Sequence, residues 1–307
     1  MPKRPPPSRL SVRPVTAHFF EPTRERPLRA KHSRLEADTR VEPHSHPWAQ
    51  LAWSATGVLR LTAERGTYIV PPSRAVWVPP GVEHAITVVE TADLRTLYLH
   101  DRAAPAAVRG GGAMSKGIDP NITTVPAKGA GLRTAATSFT DWQHCRVLEV
   151  SDLMRALMLA LPSAPDGDSP PSPGDLDREK LIAPLLADEL RRAAPVRLGV
   201  ALPEDKRLRA LCEAVLDDPV RHDTLGAWVR RIGASERTVA RLFRDELGTS
   251  FGQWRQQVLL ARALTLAARK RPMSEIAAEL GYASPSAFSA MVRRSVGMPP
   301  SRFFASA

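Results

Sequence analysis

Cysteine is nearly absent. Among 307 residues there are two, Cys145 and Cys212, far apart and without neighbours at metal-ligand spacing. That scarcity excludes a disulfide framework and a thiolate zinc site, and it fits reduced thiols in a cytosolic protein. Long apolar runs are missing too. The longest, Leu153 to Leu161, is interrupted by Arg155 and falls far short of the roughly 20 residues that cross a bilayer. The opening MPKRPPPSRL is charged with no apolar segment after it, so no secretory signal is expected and the cytoplasm is the expected location. Acidic residues are also in deficit: 43 Lys and Arg face 32 Asp and Glu, a net charge of +11. Such an excess suits polyanionic partners, but an Arg-rich soluble protein of any function would show it as well. The 43% apolar and 24% charged fractions are those of an ordinary soluble chain, long enough for about two domains.

Residues 1–40 are rich in Pro and Arg with little periodicity, and read as an arm. From about Ala49 to Leu99 come short β-type runs: AQLAW, VLRLT, TYIV, AVWV, AITVV and LRTLYL. Turn residues separate them at Thr56-Gly57, Arg65-Gly66, Pro71-Pro72 and Pro79-Pro80-Gly81. Short strands at this spacing predict a small antiparallel barrel or sandwich. Residues 102–140, with Gly110-Gly111-Gly112 and no sustained period, read as a flexible insertion within a domain over 41–161. A helix from about Ser151 follows, with Leu153, Leu157 and Leu161 at helical spacing. Five prolines in residues 162–174 exclude regular structure there, and the 162–203 stretch reads as linker plus a helix bearing Leu181, Leu185 and Leu186, which starts or bends at Pro184. The remainder, 204–307, reads as helices punctuated by Gly and Pro.

That last stretch carries the strongest pattern. A helix over about Pro203–Asp217 has the apolar stripe Leu208, Leu211, Cys212, Val215 and Leu216. A second, Thr224 to Ile232, buries Leu225, Trp228, Val229 and Ile232. A Gly233-Ala234 turn leads to a third helix, capped by Ser235 and ended by Gly248. Its apolar positions Val239, Leu242, Phe243 and Leu247 leave Arg237, Ala240, Arg241 and Arg244 outside. Helix, tight turn, helix is the arrangement that places the second helix in a major groove. The pattern recurs: Ser235 has apolar residues at +4, +7 and +8 and Gly at +13, and Ser284 has Phe288, Met291, Val292 and Gly297 at the same offsets. Upstream, Ser274 can cap the short helix EIAAEL, closed by Gly281. A helix over roughly Trp254–Ala268 joins the two units, with Trp254, Val258, Ala261 and Leu264 facing both. Two reading helices held about 34 Å apart would enter successive major grooves. Arg237 and Arg241, one turn apart, can then reach guanine edges, while the helix starts at Ser235 and Ser284 receive phosphates. A plain helical bundle with a solvated Arg face is the competing reading.

The segments ASERTVARLFRDELGTSFGQWRQQ and EIAAELGYASPSAFSAMVRRSVGMPPSRFF resemble the AraC/XylS family of bacterial transcription regulators over about 205–304. The resemblance implies base-edge contacts at Arg237, Ala240 and Arg241 and at Pro285, Ser286, Ser289 and Ala290, with Arg293 and Arg294 as phosphate contacts. Val229, Leu259 and Val292 depart from the family's usual Ala, Arg and Phe. With few hydrogen-bonding side chains in the second reading helix, the first is expected to carry most specificity.

In the first domain, His44-Ser-His46, then Gln50, Gly57 and Pro80-Gly81-Val-Glu-His84 resemble the two cupin motifs, whose HxH pair, Glu and distant His bind Fe, Mn, Ni or Zn. Gln50 stands at the Glu place and removes the anionic ligand. Three readings stay open for His44, His46 and His84: a divalent metal site, a metal-free effector pocket that includes Gln50, and a purely structural set. The expected fold is thus α+β, a cupin-like β-barrel followed by an all-α domain with two helix-turn-helix motifs. The expected function is a sequence-specific transcription regulator, not an enzyme and without an obligatory cofactor. Its partners are double-stranded DNA, a small-molecule or ion effector, RNA polymerase and a second copy of itself, with no membrane. HSHPW, PSRAVWVPPGVEH and LRTLYL resemble a subgroup of the family whose members often control a neighbouring efflux gene, and that resemblance implies nearby genes, such as one for a transporter, as targets. A metal-dependent cupin enzyme and a nonspecific basic nucleic-acid binder are the alternatives.

Overall fold

A computed structural model describes residues 10–14, 17–63, 66–100, 142–166, 171–196, 199–221, 224–230, 235–296 and 299–304. The expected insertion at 102–140, the Gly233-Ala234 turn with Ile232, and Gly297 lie outside these residues. The described chain divides into two compact units, one drawn from 10–63, 70–100 and 142–196, the other from 66–69 and 199–304.

The strands are β1 (Ser11–Val12), β2 (Leu28–Leu35), β3 (Arg40–His44), β4 (Ala49–Ser54), β5 (Leu59–Ala63), β6 (Gly66–Val70), β7 (Arg74–Val78), β8 (His84–Val88), β9 (Ala92–Leu99), β10 (Arg146–Glu149), β11 (Pro195–Val196) and β12 (Gly199–Ala201). In the first unit one sheet runs β11-β10-β7-β4-β9-β2, and β1-β3-β8-β5 lie in a second. Two sheets of short strands are the expected β architecture. Helices α1 (Asp152–Ala160) and α2 (Pro173–Arg192) pack on the first sheet. Alternation along β4 divides the labour. Its residues Ala49, Leu51 and Trp53 join a core with Trp77, Leu97, Met154, Ile182, Leu186 and Leu190, whereas Gln50 belongs to the other face. The turn after β4 requires Gly57: its φ is +75°, and a Cβ there would come within 2.2 Å of the Thr91 carbonyl oxygen.

Four expectations need correction. Residues 28–35 are not part of an arm; β2 pairs with β9 along its whole length, from Leu28↔Leu99 to Leu35↔Ala92. Its own pattern is weak because Arg29 is buried, paired with Asp166. The buried stripe of α1 is Met154, Leu157 and Met158, with Leu153 52% exposed. In α2 the core residues are Ile182, Leu186 and Leu190 while Leu181 and Leu185 face outward, and the helix continues through Pro184 after starting at Pro173 under a Ser172 cap. Proline at the first turn lacks only a hydrogen bond no helix makes there, so Pro173 starts the element where composition suggested linker. Within the second unit, α7 (Met273–Glu279) begins after Pro272 without a side-chain cap, so Ser274 lies inside the helix.

The second unit is otherwise close to expectation. Helices α3 (Lys206–Asp217), α4 (Leu225–Val229), α5 (Glu236–Leu247), α6 (Phe251–Ala268), α8 (Pro285–Val296) and α9 (Pro300–Phe303) complete it. Leu208, Leu211, Cys212 and Val215 of α3 meet Trp228, Val239, Phe243 and Trp254 in one core. Trp254 also donates from its indole nitrogen to the Ala201 carbonyl at 2.7 Å, on the strand that pairs with β6. A capping box starts α6: Ser250 accepts from the Gln253 N–H, and the Gln253 side chain accepts from Ser250. Eleven of its eighteen residues are buried, and it packs against both α7 and α8. Cys145 and Cys212 are both buried and form no disulfide.

Candidate functional site

Two groups of residues could carry chemistry or recognition, one in each unit. In the helical unit α5 is fixed at both ends. Ser235 Oγ accepts from the Thr238 N–H at 3.1 Å, and Gly248, at φ +62°, lets its N–H return to the Arg244 carbonyl. Val239, Phe243 and Leu247 anchor its inner face, with the Phe243 ring against Phe251 and Trp254. The outer face presents Arg237, Arg241 and Arg244 to solvent, and Ala240 half-buried among them. α8 repeats the construction. Ser284 Oγ accepts from the Ala287 N–H at 3.2 Å, and Phe288, Met291 and Val292 are buried. Pro285, Ser286, Ala290, Arg293 and Arg294 are exposed, and Ser289 is half-buried. The three departures from the family pattern, Val229, Leu259 and Val292, are all packed inside.

These arginines differ from two others of the unit in their charge pairing. Elsewhere in the same unit Arg262 pairs with Glu279 at 3.3 Å, and Arg271 with Glu275 at 2.7 Å. Among the described residues, no ion pair involves Arg237, Arg241, Arg244, Arg293 or Arg294. Five guanidinium groups on two helix faces therefore keep their full field toward solvent, which is what an incoming phosphate or base edge requires.

In the β unit the structure brings together His44, His46, Gln50 and His84. His44 closes β3 opposite His84, which opens β8; His46 follows in the loop, and Gln50 comes from β4 in the other sheet. The Gly81 N–H donates to the His46 carbonyl at 2.8 Å, tying the two histidine-bearing segments together. The ring centroids of His44 and His84 are 4.4 Å apart, and those of His46 and His84 5.2 Å. His46, Gln50 and His84 are buried and His44 half-buried.

A proton inventory fixes how these groups are wired. Each Nδ1 faces a backbone carbonyl: His44 that of Glu42 at 2.8 Å, His46 that of Trp48 at 2.7 Å, His84 that of Val82 at 3.0 Å. A carbonyl only accepts, so each Nδ1 carries the hydrogen and each neutral ring leaves Nε2 as an acceptor. Burial pushes the His84 pKa down to about 3, and burial lowers that of His44 as well. The Gln50 side-chain amide lies 2.8 Å from His46 Nε2 and 3.2 Å from His84 Nε2. The atom at those distances is the amide oxygen Oε1; a half-turn of the carboxamide puts its NH2 there instead, and in that orientation Gln50 donates one hydrogen to each acceptor Nε2. Gln50 thus bridges His46 and His84, and each of the three rings is anchored through Nδ1.

Sequence reasoning missed the aromatic wall beside this network. Trp48 lies parallel to His46, at 5.5 Å and 7°, and Tyr98 meets both edge-on. Phe20, Trp48 and Tyr98 form a small buried cluster, and burial raises the Tyr98 pKa to about 12. The buried Trp48 indole N–H has no hydrogen-bond partner among the described residues. Trp48 directly follows the HxH pair, and Tyr98 is the cross-strand partner of Gln50, so adjacency and register were the available signals. A divalent metal suits the set poorly. Ligand nitrogens around one tetrahedral ion sit about 3.4 Å apart, whereas these atoms spread to within 4.8 Å of one another, no carboxylate joins them, and Gln50 already engages two of the three.

Family models cover both units. One described as an AraC-like ligand binding domain matches residues 27–194, and one described as a helix-turn-helix domain matches 228–306. The chain is 30% identical over 262 residues to the HTH-type transcriptional regulator NimR of Escherichia coli, covering 85% of this chain and 81% of that protein. It is 27% identical over 116 residues to the arabinose operon regulatory protein of Salmonella typhimurium, covering 37% and 41%. Among solved structures, ToxT from Vibrio cholerae aligns over 91% of this chain and 98% of its own at 10% identity, but with a TM-score of 0.34, too loose a match to bear on function.

Proposed function

The chain belongs to the AraC/XylS family of transcription regulators, and from that premise we propose that it reads a specific DNA sequence with α5 and α8 under the control of a small effector in its β unit. The observation that carries the reading is the pair of capped helices whose outer faces hold five cations with no carboxylate partner among the described residues. In this reading Arg237, Ala240 and Arg241 meet base edges, assisted by Pro285, Ser286, Ser289 and Ala290. Arg244, Arg293 and Arg294 meet phosphates, and the helix starts at Ser235 and Ser284 do likewise. The protein acts in the cytoplasm as a homodimer, meets RNA polymerase at the promoter, performs no catalysis, and controls neighbouring genes such as one for a transporter. A genome-wide map of bound sites tests this directly. The expected result is a shared sequence with two elements about one helical turn, roughly 10 base pairs, apart. Occupancy without any common sequence at fixed salt would instead mark a nonspecific binder.

The effector is proposed to occupy the neighbourhood of His44, His46, Gln50 and His84 without metal. Supporting this are the Gln50 bridge between His46 and His84 and the open Trp48 N–H, a donor that an acceptor on the effector would complete. To act allosterically the effector must favour one arrangement of the protein over another. Replacing His44 and His46 with Ala should leave DNA affinity nearly unchanged while altering the response to effector. The three convergent imidazoles favour a metal as the second reading, and with it an enzyme. Stoichiometric iron and oxygen uptake in protein purified without chelator would establish that alternative.

A further inference from the structure

A second ligand site lies away from the histidines. The segment Arg24–Leu28, which leads into β2, and one face of α2 enclose a cavity of about 480 Å³, within the range of small-molecule sites. It exists because of two truncated side chains. Leu176, Ala183 and Ala187 follow one another at +7 and +4 along α2, so they share a face, and the two alanines leave space where longer residues would close onto Leu28. Struts hold the walls in place. Arg26 donates from Nε and Nη2 to the buried Glu179 at 2.8 and 2.5 Å, and from Nη1 to Asp166 at 3.0 Å. Those carboxylates consume the charge of Arg26.

The remaining cations are available. Arg24 is exposed and makes no ion pair among the described residues. Lys180 and Arg191 have only exposed, same-helix partners, Asp177 and Asp188, both at 3.1 Å, and such pairs exchange at little cost. The lining as a whole holds four cations and two carboxylates, 4 − 2 = +2. An apolar floor with a cationic rim selects an organic anion. We propose that this groove binds an amphipathic monocarboxylate, its hydrocarbon body on Leu28, Leu176, Ala183 and Ala187 and its carboxylate at Arg24, with Lys180 and Arg191 adding to the positive rim. None of the histidine-cluster residues contributes to it, so it would operate whatever that cluster binds.

Ligand-observed NMR titration of the full chain with 4-phenylbutanoate and with neutral 4-phenylbutan-1-ol tests the assignment. Saturable binding of the carboxylate, with the alcohol at least about fivefold weaker, is expected. Arg24→Gln should weaken the carboxylate about three- to tenfold and leave the alcohol unchanged, while Ala187→Trp should abolish both. If Ala187→Trp perturbs the fold, Arg24→Gln still decides, since its side chain is exposed. The His44→Ala, His46→Ala double variant should bind like the parent; loss of binding there would move the ligand to the histidines. That outcome, equal binding of acid and alcohol, or affinities untouched by Arg24→Gln would each overturn the proposal.

Discussion

Lowering the pH from 7 to 5 should cost the β unit about 2 kcal/mol through His84 alone. Its ring is 1% exposed and burial depresses its pKa to about 3, against roughly 6.5 in the unfolded chain. Below about pH 6.5 the unfolded chain takes up a proton that the folded ring refuses, so stability falls with pH in that window. At pH 5 the unfolded form is favoured by about 2 kcal/mol relative to pH 7, and at pH 4 by about 3, since each unit of pH is worth about 1.36 kcal/mol once the unfolded ring is charged. The loss levels off only when the folded ring itself protonates. His44, also depressed by burial, adds in the same direction.

Urea unfolding at constant ionic strength measures this loss, with hydrogen exchange in β4 and β9 assigning the transition to the β unit. His84→Asn keeps a donor for the Val82 carbonyl but cannot titrate, so it should be less stable at pH 7 and should lose about 2 kcal/mol less than the parent between pH 7 and 5, keeping the share that His44 supplies. A variant with the same slope as the parent would refute the assignment of a neutral, buried ring. It would also remove the reason for turning the Gln50 amide toward the histidines.

The helical unit gives sharper predictions. Arg241→Ala should leave urea stability within about 0.5 kcal/mol, because the side chain is exposed, yet cost about 1–3 kcal/mol on the selected DNA site and relax one base position. Uniform weakening on every sequence, with a shallower salt dependence, would make it a phosphate contact instead. Phe243→Ala removes a fully buried ring packed on Phe251 and Trp254 and should lower stability by about 3–5 kcal/mol, with DNA binding lost in proportion to unfolding. Gly57→Ala, with both a left-handed φ and the Thr91 carbonyl in the way, should destabilise the β unit by about 2–4 kcal/mol in urea. Gln50→Glu replaces the two N–H donors by a carboxylate. Metal titration should then show a divalent site that the parent lacks; equal binding by both would return the cluster to the metal reading.

Legibility in the sequence followed locality. Ser235, Gly248 and the apolar spacing between them define α5 within fourteen residues, and every part of that inference is a short-range rule: a cap, a period, a left-handed stop. The histidines were legible as a motif, and their convergence in space was legible through the resemblance. What escaped depended on partners far away in sequence. β2 reads as an arm because Arg29 is buried against Asp166, 137 residues on, and the strand's pairing with β9 supplies what its own pattern lacks. In α2 the leucines invited the wrong face. The face that packs is marked instead by Ile182, Leu186 and Leu190 in line with Glu179, a carboxylate buried because Arg26 meets it from 153 residues away. A buried ion pair disguises a core position as a surface one, and only the second partner reveals it.

The net charge of +11 sums cations of two kinds, paired and unpaired. Arg26 and Arg29, half-buried and buried, are both met by Asp166, and Arg26 by the buried Glu179 as well. Those cations add to the sum while contributing little outward field. On α5 and α8 the cations meet no carboxylate among the described residues, although Glu236, Asp245 and Glu246 lie on α5 itself. Glu246 is spent instead on the backbone N–H groups of Glu204 and Asp205, at 2.7 and 3.1 Å, before α3. Those two bonds hold the Glu246 carboxylate in place at the start of α3, and it forms no ion pair with Arg241 or Arg244 among the described residues. Freeing that carboxylate is therefore not innocuous. A change at the start of α3 that broke the Glu246 bonds would free that carboxylate, charged in either state, to move toward the Arg244 turn and weaken DNA binding by electrostatics, with no loss of any direct contact.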